Sequence, residues 1–275
     1  MKGSCAVAES ANSSGSSYGE EVRAWRIMRG MSQRELGAGA GYGQSYVAMV
    51  EKGDRVGSPG FADHCDQVFG TPGSFKRQWK RASRRGHPEW FEPYLDLEAV
   101  ATHILDFSAY LVMGILQTER YAHALFRASF PRDDPAATAE KVRARLRRRD
   151  VLDRDNPPLL WLILDESCLR RTVGGVDVMR DQLAYLLETA ESPHVTLQVL
   201  PFNTGAPPAG EPFTLLQFED RPTTLYTEAL GMGRVIDSAA MVEKASGHYD
   251  RLRADALSPE NTLIELRKVM EELPR

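Results

Sequence analysis

The sequence contains little of what secreted, membrane-spanning and disulfide-bonded proteins need. Its three cysteines, Cys5, Cys65 and Cys168, are widely spaced and odd in number. They predict neither a disulfide framework nor a CxxC metal site. No apolar run approaches the ~18 residues of a membrane helix, and the N-terminus lacks the apolar core of a secretory signal. We therefore expect a cytoplasmic protein.

Residues 87–275 lack sequence motifs for catalysis. The histidines are scattered singly, and neither G-x-S-x-G nor a pair of metal ligands at H-x-x-x-H spacing occurs in this part of the chain. The segment LDESC, residues 164–168, places acidic, hydroxyl and thiol groups at a predicted strand end. We interpret its acids as favourable charges at a helix N-terminus and Cys168 as a small core residue. We expect no enzymatic activity, no cofactor and no metal.

The charge is distributed unevenly along the chain. The net charge is −4, whereas residues 18–86 carry 12 Lys and Arg against 7 Asp and Glu, a balance of +5. Residues 1–17 are neutral, so residues 87–275 carry −9. A small basic unit followed by a larger acidic unit predicts an anionic partner for the first. The Ser- and Gly-rich residues 1–17 are typical of a disordered tail.

Glycine is concentrated in MSQRELGAGAGYGQSYVAMVEKG, residues 31–53. A dinucleotide-binding loop needs G-x-G-x-x-G after a buried strand, and a P-loop ends in Gly-Lys-Ser/Thr; neither pattern is present. Instead, Ser32 and Glu35 form an S-x-x-E capping box, which predicts that a helix begins there. Gln44 to Glu51 is typical of a short amphipathic helix. The glycines therefore indicate a sharp turn between two helices.

Residues 18–86 as a whole predict five short helices with a very tight connection between the second and the third. The first helix has Val22, Trp25 and Met28 at helical spacing, and the fourth begins at Ser58-Pro59. The fifth, within SFKRQWKRASRRG, combines one apolar face with six basic residues. This order is the helix-turn-helix plan.

The glycine-containing segment resembles the Xre-type, phage-repressor-like helix-turn-helix, whose usual pattern is L-S-Q-x-E-L-A…G-x-S-x-x-Y-V-S-x-I-E-x-G. The resemblance covers residues 18 to 72 and implies binding to double-stranded DNA. Gly37 and Gly39 stand where this pattern has better helix formers, and each is expected to cost the second helix ~1 kcal/mol. Gly43 replaces the usual Ser or Thr cap of the third helix.

The resemblance also implies which residues touch DNA. Recognition helices contact bases with their N-terminal residues. Gln44 can bond to adenine, Ser45 can donate or accept, and Met49 can contact a thymine methyl. Gln44, Ser45, Met49 and, at the edge, Tyr46 are carried over from the family. The full set of expected DNA-binding residues is Gln33, Arg34, Gln44, Ser45, Tyr46, Met49 and Arg55.

Several of these assignments have alternatives. We expect Gln33 to hold a phosphate at the N-terminus of the second helix, with Arg34 and Arg55 as further phosphate contacts. Tyr46 fits packing as well as contact, and Arg34 fits pairing with surface carboxylates. The basic helix from Lys76 to Arg85 fits a phosphate contact, a contact with the acidic second unit, or a solvated face.

Residues 87–275 predict helices, then mixed strands, then helices, which is typical of an α+β domain. LLWLILDE is a buried strand, and VTLQVLP, FTLLQF and TTLYTEAL alternate as strands do. Leu97, Val100, Ile104 and Phe107 are spaced as on one helix face. The predicted fold class is therefore α+β: an all-α five-helix domain, then a mixed domain with helices flanking a small β-sheet.

Four segments of this second unit resemble the long C-terminal domain of actinobacterial WhiJ-like or antitoxin-like transcriptional regulators. They are LVMGILQTERYAHAL, LDESCLRRTVGGVDVMRDQL, VTLQVLPFNTGAPPAGEPFTLLQF and LSPENTLIEL. The resemblance covers about 85 to 270, with Met113 in place of the family's usual proline. It implies transcriptional regulation, often beside a gene for a small partner protein.

These resemblances imply a function for each unit. We expect residues 18–86 to be the DNA-binding domain and residues 87–275 to bind an effector or partner and to oligomerise. One helix-turn-helix contacts one half-site, so we expect a homodimer on a palindromic operator. The alternative function is a small-molecule sensor with a ligand cleft near NTGAPPAGEP, residues 203–212.

Overall fold

A computed structural model describes residues 14–154 and 156–274. The chain divides into an N-terminal unit that ends at Arg85 and a C-terminal unit that begins at Gly86, with Asp153 grouped in the first. The first unit is helical and the second combines helices with a six-stranded sheet. This confirms the predicted α+β class.

The N-terminal unit consists of the helices that the sequence predicts. They are α1 (Ser14–Met28), α2 (Gln33–Ala38), α3 (Gln44–Lys52), α4 (Pro59–Phe69) and α5 (Ser74–Arg84). Their apolar faces form one core, in which Val22, Leu36, Val47 and Phe61 are completely buried. Burial of these faces stabilises helices that are too short to form alone.

The boundary of the N-terminal tail differs from the prediction. Helix α1 begins at Ser14, so residues 14–17, assigned to the tail, are helical. The remainder of the predicted tail, residues 1–13, lies outside the described residues.

The C-terminal unit contains seven helices and six strands among the described residues, apart from short 3₁₀ turns. In chain order they are α6 (Glu92–Glu98), β1 (His103–Ser108), α7 (Glu119–Ser129), α8 (Pro135–Arg147), β2 (Leu159–Asp165), α9 (Ser167–Arg170), α10 (Val176–Thr189), β3 (Val195–Leu200), β4 (Phe213–Gln217), β5 (Thr224–Ala229), β6 (Met232–Ile236), α11 (Ala239–Asp255) and α12 (Pro259–Glu272). None of the described helices is long and apolar enough to cross a membrane.

The strands form one mixed sheet in the order β3-β2-β1-β4-β5-β6. The first three are parallel, and β4, β5 and β6 continue the sheet in antiparallel pairs. Side chains alternate between two apolar clusters: Leu162 and Leu164 belong to one, whereas Ile163 belongs to the other with Tyr249 of α11. The sheet therefore has a core on both faces, which explains why β2 is a continuous apolar run.

One predicted helix of this unit is wrong. Ile104 and Phe107 lie on β1, not on a helix, because α6 ends at Glu98 and the chain is extended from His103. β1 pairs with β2 along one edge and with β4 along the other, and its two faces are buried because Ile104 and Phe107 belong to the two different apolar clusters. The helical spacing of these residues was fortuitous. Strand β6 was not predicted at all.

A buried ion pair joins α6 to the residue that follows α8. Arg148 donates to both carboxylate oxygens of Glu98, at 2.7 and 3.0 Å, and its guanidinium lies 5.0 Å from the centre of the Phe91 ring. Both charged side chains are almost completely buried. Removal of either partner would therefore leave a buried charge without compensation.

We predict that Glu98→Ala lowers the free energy of unfolding by about 3–5 kcal/mol. The substitution leaves the buried Arg148 guanidinium without the carboxylate that accepts two of its hydrogen bonds. Urea denaturation of the full-length protein measures this change. Asp220→Ala, which breaks the exposed pair with Arg221, is the matched control and should leave the midpoint unchanged. An equal, small effect of both substitutions would contradict the prediction.

Candidate nucleic-acid interface

The start of α2 is fixed by the predicted capping box. The amide of Glu35 donates to Ser32 Oγ at 3.2 Å, and the amide of Ser32 donates to Glu35 Oε2 at 2.7 Å. The hydrogen bond from the Ser32 amide also lowers the pKa of Glu35. Two backbone amides of the first turn are thus satisfied, and α2 begins where the sequence predicted.

The turn between α2 and α3 requires glycine at position 37 for reasons of space. The carbonyl of Gly37 accepts from the amides of Ala40 and Tyr42, each at 3.0 Å. A Cβ at Gly37 would lie 2.3 Å from the carbonyl oxygen of Tyr42. Gly41 has φ +76°, which completes the reversal of the chain. Gly37 therefore lets the two helices approach closely.

The structure corrects the position that the sequence analysis gave to Gly39. Gly39 is the C-cap of α2 and does not lie inside the helix. Its φ of −69° is ordinary, but a Cβ there would lie 2.7 Å from Cε1 of His64. The imidazole Nε2 of His64 is 3.0 Å from the carbonyl oxygen of Leu36, so this ring occupies the space beside the end of α2.

A buried carboxylate ties α1, α2 and α3 together. Glu51 Oε2 accepts from Arg26 Nη2 and from Gln33 Nε2, each at 2.9 Å, and Arg26 Nε donates to Glu51 Oε1. The hydrogen bond to Glu51 raises the pKa of Arg26. Arg26 also donates to the carbonyl of Met31, just before α2. Neither Arg26 nor Glu51 was predicted as a functional residue, although Glu51 matches the glutamate of the helix-turn-helix pattern.

Helix α3 has one face in the core and one in solvent. Val47 and Val50 are completely buried, whereas Gln44, Ser45 and Met49 are exposed. The exposed residues begin at the first turn of α3, the part of a recognition helix that contacts bases. The three predicted base-contacting residues therefore share one accessible surface.

Tyr46 is buried and does not belong to this accessible surface. Its ring is buried and stacks on Tyr42 with centroids 4.3 Å apart, and Phe61 meets it edge-on at 5.4 Å. Its hydroxyl accepts from the amide of Ser58 at 2.7 Å. These contacts fit the packing alternative for Tyr46.

The predicted phosphate-contacting residues differ in their surroundings. Gln33 is partly buried and donates inward to Glu51, while Arg34 is exposed on α2. The Arg55 guanidinium lies 5.1 Å from the centre of the Tyr46 ring and forms an ion pair with Asp153 of the same unit. Gln33 and Arg34 thus lie at the start of α2, and Arg55 follows α3.

The polar groups of LDESC have structural partners. Asp165 accepts from the amide of Ser167 at 2.8 Å, and the hydroxyl of Ser167 donates to the carbonyl of Ala109 at 2.7 Å. Cys168 is completely buried, and burial raises the pKa of its thiol. Among the described residues no group of three or more His, Cys, Asp or Glu side chains is placed to hold a metal ion.

We predict opposite effects of substitution at two glycines of the helix-turn-helix. Gly37→Ala should lower the free energy of unfolding by about 1–3 kcal/mol, because the added methyl overlaps the Tyr42 carbonyl. Gly43→Ser should raise it by a few tenths of a kcal/mol, roughly the value of an N-cap hydroxyl relative to glycine. The nearest atom to a Cβ at Gly43 is 3.8 Å away.

Urea denaturation of the two full-length variants measures whether each substitution raises or lowers the free energy of unfolding. Stabilisation by Gly37→Ala would show that helix propensity dominates there and that the turn can relax.

Comparison with known protein families yields two matches. Residues 17–79 match a helix-turn-helix domain, and residues 91–268 match a domain of unknown function, DUF5753. No curated protein and no solved structure matches the chain significantly. The second match covers more than half of the chain. The chain therefore belongs to the DUF5753 family, and it carries a helix-turn-helix domain at its N-terminus.

Proposed function

We propose that this protein is a sequence-specific DNA-binding transcriptional regulator that acts in the cytoplasm. The observation that carries the proposal is the single exposed face of α3, on which Gln44, Ser45 and Met49 lie together. The match to a helix-turn-helix domain supports DNA binding independently of this face. The proposal assigns no catalytic step to either unit.

In this proposal α3 enters the major groove with its N-terminal turn foremost. The carboxamide of Gln44 forms paired hydrogen bonds with adenine, Ser45 bonds to a neighbouring base edge, and Met49 contacts a thymine methyl. Arg34, Arg55 and the N-terminus of α2 contact phosphates, which fix the register of the helix. Gln33 positions α2 through Glu51 and directs its remaining amide hydrogen to a phosphate.

Recognition of a longer site requires two copies of the chain. One α3 covers one half-site, so a homodimer binds a palindrome whose half-site centres are about 10 base pairs apart, or a multiple of that. The charge of +5 on residues 18–86 is modest, which makes the affinity of one copy weak and sensitive to salt.

We further propose that the C-terminal unit docks a small partner protein, as in antitoxin-like regulators of the WhiJ type. Support comes from the resemblance of residues 85 to 270 to those regulators and from exposed apolar side chains that follow β1 and β3. Tyr110, Leu111 and Phe202 are exposed there. Exposed apolar side chains near one another are typical of protein-binding surfaces.

One observation favours the alternative function, a small-molecule sensor. The hydroxyl of Tyr110 donates to the carbonyl of Gly210 at 2.7 Å, which holds the loop 203–212 beside the end of β1. The carboxyl ends of parallel strands are frequent ligand sites in sheets of this kind. A metabolite that changes operator affinity without any partner protein would favour this alternative.

Selection of DNA from a random library by the full-length protein tests the regulatory function. We predict enrichment of one palindromic motif, since two copies of α3 contact two equivalent half-sites. Gln67→Ala, an exposed glutamine on α4, should select the same motif and serves as the matched control. Recovery of unrelated sequences after several rounds would contradict the proposed function.

A further inference from the structure

Arg55, one of the proposed phosphate contacts, is already engaged by a carboxylate. Its Nη2 donates to Asp153 Oδ2, and its guanidinium lies 5.1 Å from the centre of the Tyr46 ring. The side chain of Arg55 is 15% exposed, whereas that of Asp153 is 52% exposed. The carboxylate of the neighbouring Asp54 pairs with Lys52 at 2.8 Å. The guanidinium assigned to DNA therefore faces an acid from elsewhere in its own chain.

This acid comes from a distant part of the sequence. Asp153 lies 98 residues after Arg55 and is grouped with the N-terminal unit, although the residues on both sides of its segment belong to the C-terminal unit. It ends a 3₁₀ turn that begins at Arg148. Val151 of this turn is buried in the C-terminal core, and Leu152 packs against that core. The C-terminal unit therefore holds the segment that presents the Asp153 carboxylate.

A carboxylate and a phosphate compete for the donors of one guanidinium. Both are oxyanions that accept charge-assisted hydrogen bonds from arginine. A phosphate that binds Arg55 must displace the Asp153 carboxylate or share the guanidinium with it. In the first case an ion pair is lost, and in the second case two negative groups are brought together. Either way, the presence of Asp153 makes the contact between Arg55 and DNA less favourable.

We propose that Asp153 is an autoinhibitory residue, whose carboxylate occupies Arg55 in the free protein and thereby lowers the affinity for the DNA backbone. The proposal rests on the proposed function, because it requires Arg55 to contact phosphate. It adds a regulatory role for a residue outside the helix-turn-helix, and it makes the C-terminal unit, which holds Asp153, a restraint on DNA binding. Since phosphate contacts carry no sequence information, the effect should be the same on every DNA sequence.

Binding of the full-length protein to a mixed-sequence duplex, measured by fluorescence anisotropy, tests the proposal. Asp153→Asn removes the charge but keeps the shape of the side chain. At low salt it should raise the affinity about two- to fivefold, the range expected from the loss of an exposed ion pair. Asp63→Asn is the matched control, because Asp63 is 44% exposed and pairs with Lys76 in the same unit. The control should raise the affinity less.

A double-mutant cycle separates the ion pair from the general effect of removing a negative charge. Arg55→Ala should weaken binding more in the Asp153→Asn background than in the wild type, because Asp153→Asn releases the guanidinium. In the Arg55→Ala background, Asp153→Asn should raise the affinity no more than the Asp63→Asn control does. Independent effects of the two substitutions would overturn the proposal. So would an unchanged or lower affinity of an Asp153→Asn variant that circular dichroism shows to be folded.

The same measurements distinguish this proposal from the proposed function. If Arg55→Ala weakens binding and Asp153→Asn has no effect, the autoinhibitory role is wrong while DNA binding stands. If the cycle behaves as expected but selection from a random library yields no motif, the autoinhibitory role stands and sequence-specific regulation fails. If neither the wild type nor Asp153→Asn binds DNA, both are wrong.

Discussion

Burial of the Glu51 carboxylate is the constraint on which the DNA-facing geometry of the N-terminal unit depends. A buried carboxylate is costly unless charged and polar donors compensate it. Arg26 of α1 and Gln33 of α2 supply those donors, so three helices are fixed by one group on α3. The ion pair between Arg26 and Glu51 fixes the orientation of α3, and that orientation leaves Gln44, Ser45 and Met49 facing solvent.

The C-terminal unit uses buried side-chain amides in a similar way. Gln182 of α10 accepts from the Thr118 amide at 2.7 Å and donates to the Leu116 carbonyl at 2.6 Å. Gln117 donates to the Val112 carbonyl at 2.6 Å and accepts from Arg145 at 2.9 Å. The two glutamines therefore support the irregular backbone segment between β1 and α7.

Features governed by neighbouring residues could be predicted from the sequence. The caps at Ser32 and Ser58 are local hydrogen bonds between a side chain and an amide three residues later, so the starts of α2 and α4 were predicted correctly. The exposed face of α3 followed from its helical period. How these residues act on DNA stays a prediction.

Features governed by distant contacts could not be predicted. The role of Gly37 depends on the Tyr42 carbonyl across the turn, and the partner of Glu51 is 25 residues away. Strand β6 escaped prediction because its sequence, MGRVI, does not alternate clearly in hydrophobicity. β1 was mistaken for a helix because it is buried on both faces and therefore lacks the alternation typical of a half-buried strand.

The most direct test of the account compares full-length wild type with Gln44→Ala/Ser45→Ala on the palindrome selected by the wild type and on a scrambled duplex. Fluorescence anisotropy across a salt series gives all four affinities. The account predicts that the wild type prefers the palindrome and that the double variant loses this preference but keeps weak, salt-sensitive binding to both duplexes. Equal preference of both proteins for the palindrome would contradict the assignment of α3 as the recognition helix.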